Sequence, residues 1–255
     1  MESAAASRTL PRSLATLSEA LTSVEAPAGD FDPRGEWDHR YTVHTIIYAI
    51  NGQSVNLPKQ GWFNIRRGPL RGDTVEIACS LASHHSFDWV NSLEATITCD
   101  DDALATPRKW ELTSKTLDKE RNIVPDTEHA RTGALRKGRI IATSGKRRST
   151  RAAEALSSNW TIFDAVQRLP FGPTDPLSFD MLEELDLLKT GQQLTYWGDV
   201  EVELSGKPTR LHGFEQMGRG ILPYAYWLDE QHRLLIACGG QRAFVWNPTA
   251  GLPQG

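Results

Sequence analysis

Alternating apolar and polar residues mark several stretches of this chain as β-strands. Residues 75–81 place Val, Ile, Cys and Leu at every second position, and residues 93–99 repeat the pattern. A period of two is typical of a strand that buries one face. Asn51-Gly52 predicts a hairpin turn, because both residue types tolerate positive φ. Further strands are predicted at 41–50, 62–67, 110–116 and 139–142.

Near the N-terminus the spacing changes to that of a helix. Leu14, Leu17, Leu21 and Val24 recur every three or four residues, which predicts one short amphipathic helix. Proline and glycine residues follow it directly and end it. We therefore interpret residues 1–35 as a tail that carries a loosely attached helix.

Two stronger helices are predicted between residues 158 and 190. Ser158 can cap the first helix, and Pro170 stops it after an apolar face of Ile, Phe, Val and Leu. Ser178 can cap the second helix, which ends near Gly191. These are the strongest helical patterns in the sequence.

The last third of the chain reads as a β-meander. Apolar residues alternate with glutamates over 200–204, and short polar turns separate the runs that follow. Successive strands joined by short turns pair antiparallel. The predicted order is strands over 36–142, helices over 158–190 and strands over 194–247. We expect a mainly β (α+β) fold, in which residues 36–255 form a single domain: a curved antiparallel sheet or open barrel packed around two helices.

The polar stretch 117–157 separates the first strands from the helices and lacks clear periodicity, which predicts a long, partly ordered loop. A basic cluster runs through it from Arg136 to Arg151. A run of this kind without aromatic residues is typical of a solvated connection. Contact with an anionic ligand or polymer is the alternative.

Composition narrows the class of protein. The 255 residues are 39% hydrophobic and 24% charged, as in ordinary globular domains. The formal charge of −4 argues against a nucleic-acid partner, which a broad basic face would bind. No apolar run approaches the 18 or so residues of a membrane span. The chain lacks a signal-peptide pattern, so we expect a cytoplasmic protein if the sequence is full length and an exported one if a leader has been removed. The oligomeric state is left open.

Known catalytic and metal-binding motifs are missing from the sequence. Cys79, Cys99 and Cys238 form no CxxC pair, and two of them lie in apolar runs typical of inert buried thiols. The phosphate-binding, zinc-protease and α/β-hydrolase signatures are also absent. We therefore predict a protein that uses neither a metal nor a cofactor.

His85 is the first candidate for chemistry. It follows the strand over 75–81, and continued alternation places it on the side of Val75. Neighbouring His84 falls on the opposite face, so the two histidines do not share one metal. A histidine at the rim of a sheet can act as an acid or base near neutral pH. The alternative is a polar hairpin loop whose histidine is satisfied by hydrogen bonds.

The C-terminal meander supplies the other candidates. Arg210 and His212 share one face of a strand, a pairing that suits a carboxylate or an oxyanion. Tyr224 and Tyr226 share a face and offer stacking surface and hydrogen-bond donors, whereas Trp227 falls on the other face. We predict His85, His212 and Tyr226 as catalytic residues if the protein is an enzyme, with Arg210, Tyr224 and Trp227 as ligand-binding residues. An ordinary core role for the aromatic residues, or an exposed face for Arg210 and His212, is the alternative.

Residues near the end of the chain carry one family resemblance. Gly218, Gly220, the run Tyr226-Trp227-Leu228-Asp229 and the run Arg233-Leu234-Leu235 resemble the C-terminal hairpins of uncharacterised bacterial half-barrel proteins, which are related in shape to lipoprotein carriers. The resemblance covers about the last third of the chain. It implies a sheet whose concave face can hold a ligand, and it transfers no catalytic residue.

Two functions follow from these features. The first is binding of a small amphipathic or sugar-like ligand in the concave face of the sheet. The alternative is a metal-independent lyase, hydratase or hydrolase that acts on a sugar-like substrate through His and Tyr acid–base chemistry. A structural or interaction protein is a third class, which a large flat apolar patch would indicate.

Overall fold

One continuous sheet of fifteen strands forms the described part of the protein. The structure, a computed structural model, describes residues 10–48, 54–84 and 88–252. Neighbouring strands pair antiparallel, except for one parallel pair, β9 with β10. The first eight strands run outward from β1 to one edge in sequence order, and the last strand, β15, pairs with β1 on its other side. The predicted mainly β fold with a curved antiparallel sheet is therefore confirmed.

The strands have the following bounds: β1 Trp37–Tyr48, β2 Ser54–Arg67, β3 Thr74–His84, β4 Val90–Asp100, β5 Pro107–Leu117, β6 His129–Arg136, β7 Arg139–Ser144, β8 Arg147–Ala152, β9 Leu156–Ser158, β10 Leu177–Glu183, β11 Leu187–Leu204, β12 Lys207–Gly218, β13 Tyr224–Leu228, β14 Leu234–Gly239 and β15 Arg242–Trp246. The described helical segments are α1 Arg12–Ala15, α2 Ser18–Leu21, α3 Ile162–Ala165 and a 3₁₀ turn, Val166–Arg168. None of them is long and apolar enough to cross a membrane.

The curl of the sheet encloses α3 as a plug. Phe163 is buried and its ring lies against aromatic rings from four different strands, with centroid distances of 5.2–6.3 Å. The two halves of the sheet also contact each other. Trp110 on β5 donates from Nε1 to the carbonyl of Leu185, which lies between β10 and β11, at 3.0 Å. The inner face around the plug is thus largely filled by side chains.

The second predicted helix is wrong. Residues 177–183 form β10, which pairs with β9 on one side and β11 on the other. Between β10 and β11 lies a tight turn in which Glu184 and Leu185 both have positive φ. The apolar residues of this stretch fit a helical period as well as an alternating one, and pairing on both sides decides for the strand.

The first predicted helix is much shorter than expected. Only 162–165 is α-helical, and a 3₁₀ turn continues it to Arg168. Ser158 belongs to β9 rather than to a helix cap. The predicted loop over 117–157 is also corrected, because residues 129–152 form the paired strands β6, β7 and β8 with their turns; the strand expected near 139–142 is β7.

The N-terminal segment is held firmly, contrary to the expected loose attachment. Its helix is broken into α1 and α2, and Leu14 and Leu17 are completely buried. Trp227 donates from Nε1 to Ser13 Oγ at 3.2 Å, and this tryptophan lies on the face of β13 opposite Tyr226. The segment therefore packs on the outside of the sheet. Residues 1–9 of the predicted tail and the Asn51-Gly52 turn lie outside the described residues, although the strands on either side of that turn do pair.

Candidate functional site

An interior cavity of about 380 Å³ lies beside the plug, at one end of the curled sheet. Cavities of this size are at the lower end of the range for small-molecule sites. Its walls come from the plug, the β10–β11 turn, the β12–β13 loop and the β14–β15 turn. The side chains that line it include Trp160, Glu183, Glu184, Lys189, Gln216, Tyr224, Tyr226 and Arg242.

Two tyrosines form one wall of this interior cavity. The rings of Tyr224 and Tyr226 lie 5.0 Å apart, and the Tyr226 hydroxyl donates to Gln216 Oε1 at 2.8 Å. Burial raises the pKa of both phenols above their usual value. They therefore keep their protons at neutral pH and act as hydrogen-bond donors rather than bases.

Glycine at 239 makes room for this wall. A Cβ added to Gly239 would lie 2.1 Å from Cδ2 of Tyr224, closer than any normal contact. The Tyr224 ring therefore rests directly on the backbone of β14. Alternation along β13 predicts the shared face of the two tyrosines, but the glycine that seats the ring belongs to the next strand.

Trp160 lines the same cavity and also carries a buried donor without a partner among the described residues. Its side chain is buried, its ring packs 5.5 Å from that of Phe63, and its Nε1 has no hydrogen-bond partner among the described residues. A buried donor without a partner costs about 1–3 kcal/mol. The indole ring of Trp160 adds apolar surface to the cavity.

Charged groups lie at the rim beside these aromatic residues. Lys189 Nζ and Glu183 Oε2 are 2.7 Å apart, and Asn159 Nδ2 donates to Glu184 Oε1 at 3.3 Å. Burial raises the pKa of Glu184, and the charges of Arg242 and Arg131 oppose the shift only in part. The rim therefore offers both carboxyl and cationic groups to a polar ligand.

The β10–β11 turn fixes Glu184 in place through its backbone. Its N–H donates to Asn159 Oδ1 at 2.8 Å, and its carbonyl accepts from Arg131 Nη1 at 3.0 Å. Leu185, next in the turn, is fully buried. These anchors hold two consecutive non-glycine residues at positive φ, which costs energy and is commonest at functional sites.

Arg210 and His212 belong to a different cluster. Both contact Asp199: Arg210 as an exposed ion pair, and His212 through Nδ1 at 2.9 Å from Oδ1. The Tyr196 hydroxyl donates to the same carboxylate. Phe171 covers the His212 ring in a parallel stack at 3.8 Å. None of these residues lines the interior cavity.

The remaining predicted residues lie elsewhere. Trp227 lines an outer groove of about 680 Å³ between α1 and the sheet, where Trp197 lies 5.5 Å from it. Tyr224 borders both this groove and the interior cavity. His85 lies outside the described residues, so its predicted role stays a prediction.

Sequence reasoning missed Trp160, Glu184 and Gln216. Trp160 and Glu184 fall in or beside stretches predicted as helices, which hid their approach to the tyrosines. Gln216 had a usable signal, because it continues the alternating face of Arg210 and His212.

Comparison with known proteins informs the fold alone. No protein-family model matches the chain, and no curated protein matches it. Among solved structures, it is similar to a β-barrel-like protein of a Domain of Unknown Function, DUF1849, from Brucella abortus. The two share 9% sequence identity with a TM-score of 0.50, over 82% of this chain and 94% of that one. The likeness supports an antiparallel, barrel-like architecture related to bacterial proteins of this shape.

Proposed function

We propose that this protein binds a small amphipathic, sugar-like molecule in the interior cavity. The observation that carries the proposal is the wall formed by Tyr224 and Tyr226, whose hydroxyl groups stay protonated, in a cavity that the indole of Trp160 also lines. A cavity with an apolar aromatic wall and a few polar groups is the usual form of a small-molecule site. The sequence resemblance to half-barrels shaped like lipoprotein carriers points to the same concave face.

The residues around the cavity define the ligand's chemistry. Flat rings of Tyr224 and Tyr226 suit the apolar face of a sugar ring or a short aliphatic group. Glu183 and Lys189 at the rim suit hydroxyl groups, which both donate and accept. A ligand oxygen would accept from the Tyr224 hydroxyl. A purely aliphatic molecule would leave these polar groups unused, and a strongly charged one would meet both signs of charge.

The enzyme alternative rests on one specific observation in the same cavity. Because burial raises the pKa of Glu184, its carboxyl group holds a proton more readily than usual and is suited to general-acid chemistry. Tyr226 is less suited to this role, because its one hydroxyl proton is already donated to Gln216. A lyase or hydrolase at this site would thus use Glu184 as acid rather than His212, which is covered by Phe171.

Binding of a short-chain alkyl glycoside, measured by calorimetry on the full chain, tests the proposal. Tyr224→Phe removes one hydroxyl group from the tyrosine wall and keeps the ring, so it should weaken binding about tenfold, the effect of losing one buried hydrogen bond. Trp227→Phe, the matched control in the outer groove, should leave binding unchanged. The proposal fails if the glycoside does not bind, or if only the Trp227 variant weakens binding.

A further inference from the structure

Positive charge is concentrated at one edge of the sheet. Strands β6 to β8, over 129–152, carry eight Lys and Arg residues and no Asp or Glu, although the whole chain has a formal charge of −4. Most of these side chains are exposed. The rest of the chain is therefore acidic, and the basic charge is segregated on a single three-stranded extension.

Seven of these cations have no carboxylate partner within the described ranges. Arg131 is the exception, since its Nη1 lies 3.8 Å from Glu184 Oε2. The unpaired seven are Arg136, Lys137, Arg139, Lys146, Arg147, Arg148 and Arg151. They line the two hairpin turns and the last strand, so an anion approaching this edge meets no competing carboxylate on the extension itself.

The last of these strands, β8, is also a free edge. It pairs with β7 on one side, and no described strand pairs with its other side. Such an edge presents a row of unpaired N–H and C=O groups, which an extended polypeptide can pair with. Arg151 pairs with the buried Ile140, so Arg147 and Arg151 share the inner face of the extension and Arg148 lies on the outer one.

We propose that β8 is a docking edge for an acidic polypeptide segment, which adds to the sheet as a sixteenth, extended strand. Backbone pairing with β8 would supply the geometry, and carboxylates at alternate positions would meet Arg147 and Arg151 on one face. This interaction is separate from the interior cavity and does not depend on the function proposed for it.

A nucleic acid fits this edge less well. Residues 129–152 contain no Phe, Trp or Tyr, so they lack the stacking platforms that single-stranded nucleic acids use. The phosphates of a nucleic acid can accept from the free N–H groups of β8, but they offer no donors for its free C=O groups. The alternative explanation is that the arginines prevent this edge from pairing with strands of other chains, as charged residues on edge strands commonly do.

The test uses the full chain and a nine-residue peptide of alternating Glu and Val with blocked ends. We expect binding by fluorescence anisotropy at low salt that weakens as salt screens the charges. Methylating alternate backbone nitrogens of the peptide should weaken binding about tenfold, because it removes strand pairing and keeps every charge. This comparison needs only the wild-type protein.

Paired variants locate the site. Arg147→Glu/Arg151→Glu should weaken peptide binding about tenfold or more, while Arg71→Glu/Lys207→Glu, which makes the same charge change at scattered exposed positions, should change it little. The proposal is overturned if the peptide does not bind, which would leave the arginines as guards of the edge. It is equally overturned if N-methylation has no effect, if a single-stranded oligonucleotide of equal charge binds as tightly, or if both variant pairs weaken binding alike.

Discussion

The guanidinium of Arg67 on β2 lies 2.9 Å from Oδ1 of Asp164 in the plug, and both side chains are completely buried. Arg168 binds the other oxygen of this carboxylate at 2.7 Å, and Asp101 joins the network at its exposed end. Asp164 of the plug supplies the negative charge that pairs with Arg67, and this ion pair fixes the plug against β2. The position of the plug in turn decides where the interior cavity begins.

Removing the charge of Asp164 should destabilise the protein strongly. Asp164→Asn leaves two buried guanidinium groups with Asp101 as their one carboxylate partner among the described residues, and breaking a buried ion pair on one side costs about 3–5 kcal/mol. At about 2–4 °C per kcal/mol, the melting temperature should fall by about 6–20 °C. Arg108→Gln, which breaks the half-exposed pair with Asp100, should cost no more than about 1 kcal/mol. Similar losses in both variants would contradict this account of the plug.

His39 should make the protein less stable in mild acid. Its ring is buried and stacked on Trp37 with a centroid distance of 4.4 Å, and burial together with the charge of Arg233 lowers its pKa to about 3. In the unfolded chain its pKa is near 6.5, so the stabilisation is fully present above that pH and is lost as the pH falls toward 3. Unfolding in urea at pH 7.5 and pH 5 should show a loss of about 2 kcal/mol. His39→Phe keeps a ring and should remove most of this pH dependence; a variant with an unchanged pH profile would refute the assignment.

The N-terminal segment that contains α1 and α2 should contribute to global stability. Leu17 is fully buried between this segment and the sheet, and Leu17→Ala should cost about 2–5 kcal/mol because it leaves a cavity. The measurement is the midpoint of guanidinium unfolding. Glu19→Ala on the exposed side of α2 is the control and should change the midpoint little. If Leu17→Ala were as mild as Glu19→Ala, the segment would be only loosely attached after all.

Gly239 should be required for the tyrosine wall. In Gly239→Ala the new methyl group would clash with Tyr224, also meeting its backbone Cα at 2.9 Å, so the ring must move into the cavity or the strands must separate. We expect a loss of about 1–3 kcal/mol in stability and weaker binding of the alkyl glycoside. Gly72→Ala, at a turn with no atom within 4 Å, tests for a general effect of added methyl groups, because its strain comes only from its positive φ. If Gly239→Ala kept full affinity for the glycoside, Tyr224 would not belong to the binding site.

His212 should hold a loop rather than the ligand. Phe171 is stacked between His212 and His232, 3.8 Å from each ring. His212→Ala removes one of these surfaces, so the loop over 169–176 should open more often and limited proteolysis should cut it faster. Glycoside binding should be unchanged, because His212 does not line the interior cavity. If His212→Ala lost glycoside binding while the loop stayed resistant to proteolysis, His212 would belong to the binding site after all.

The sequence by itself determined the β-rich class and the faces of single strands. Alternation at 75–81 and 200–204 reports the burial of one face, which is a local property of an extended chain. The shared face of Tyr224 and Tyr226, and the opposite face of Trp227, follow from the same rule. Each of these depends on residues two positions apart.

Tertiary structure decided everything that depends on which strands meet. The apolar spacing at 177–188 fits a helix or a strand, and pairing with β9 and β11 settles it only in the folded sheet. Trp160 reaches the tyrosine wall, and Asp164 reaches Arg67, 97 residues away, because the sheet curls around the plug. Contacts of such long range leave no periodic signal in the sequence, since their spacing is set by the curvature of the whole sheet rather than by the local backbone.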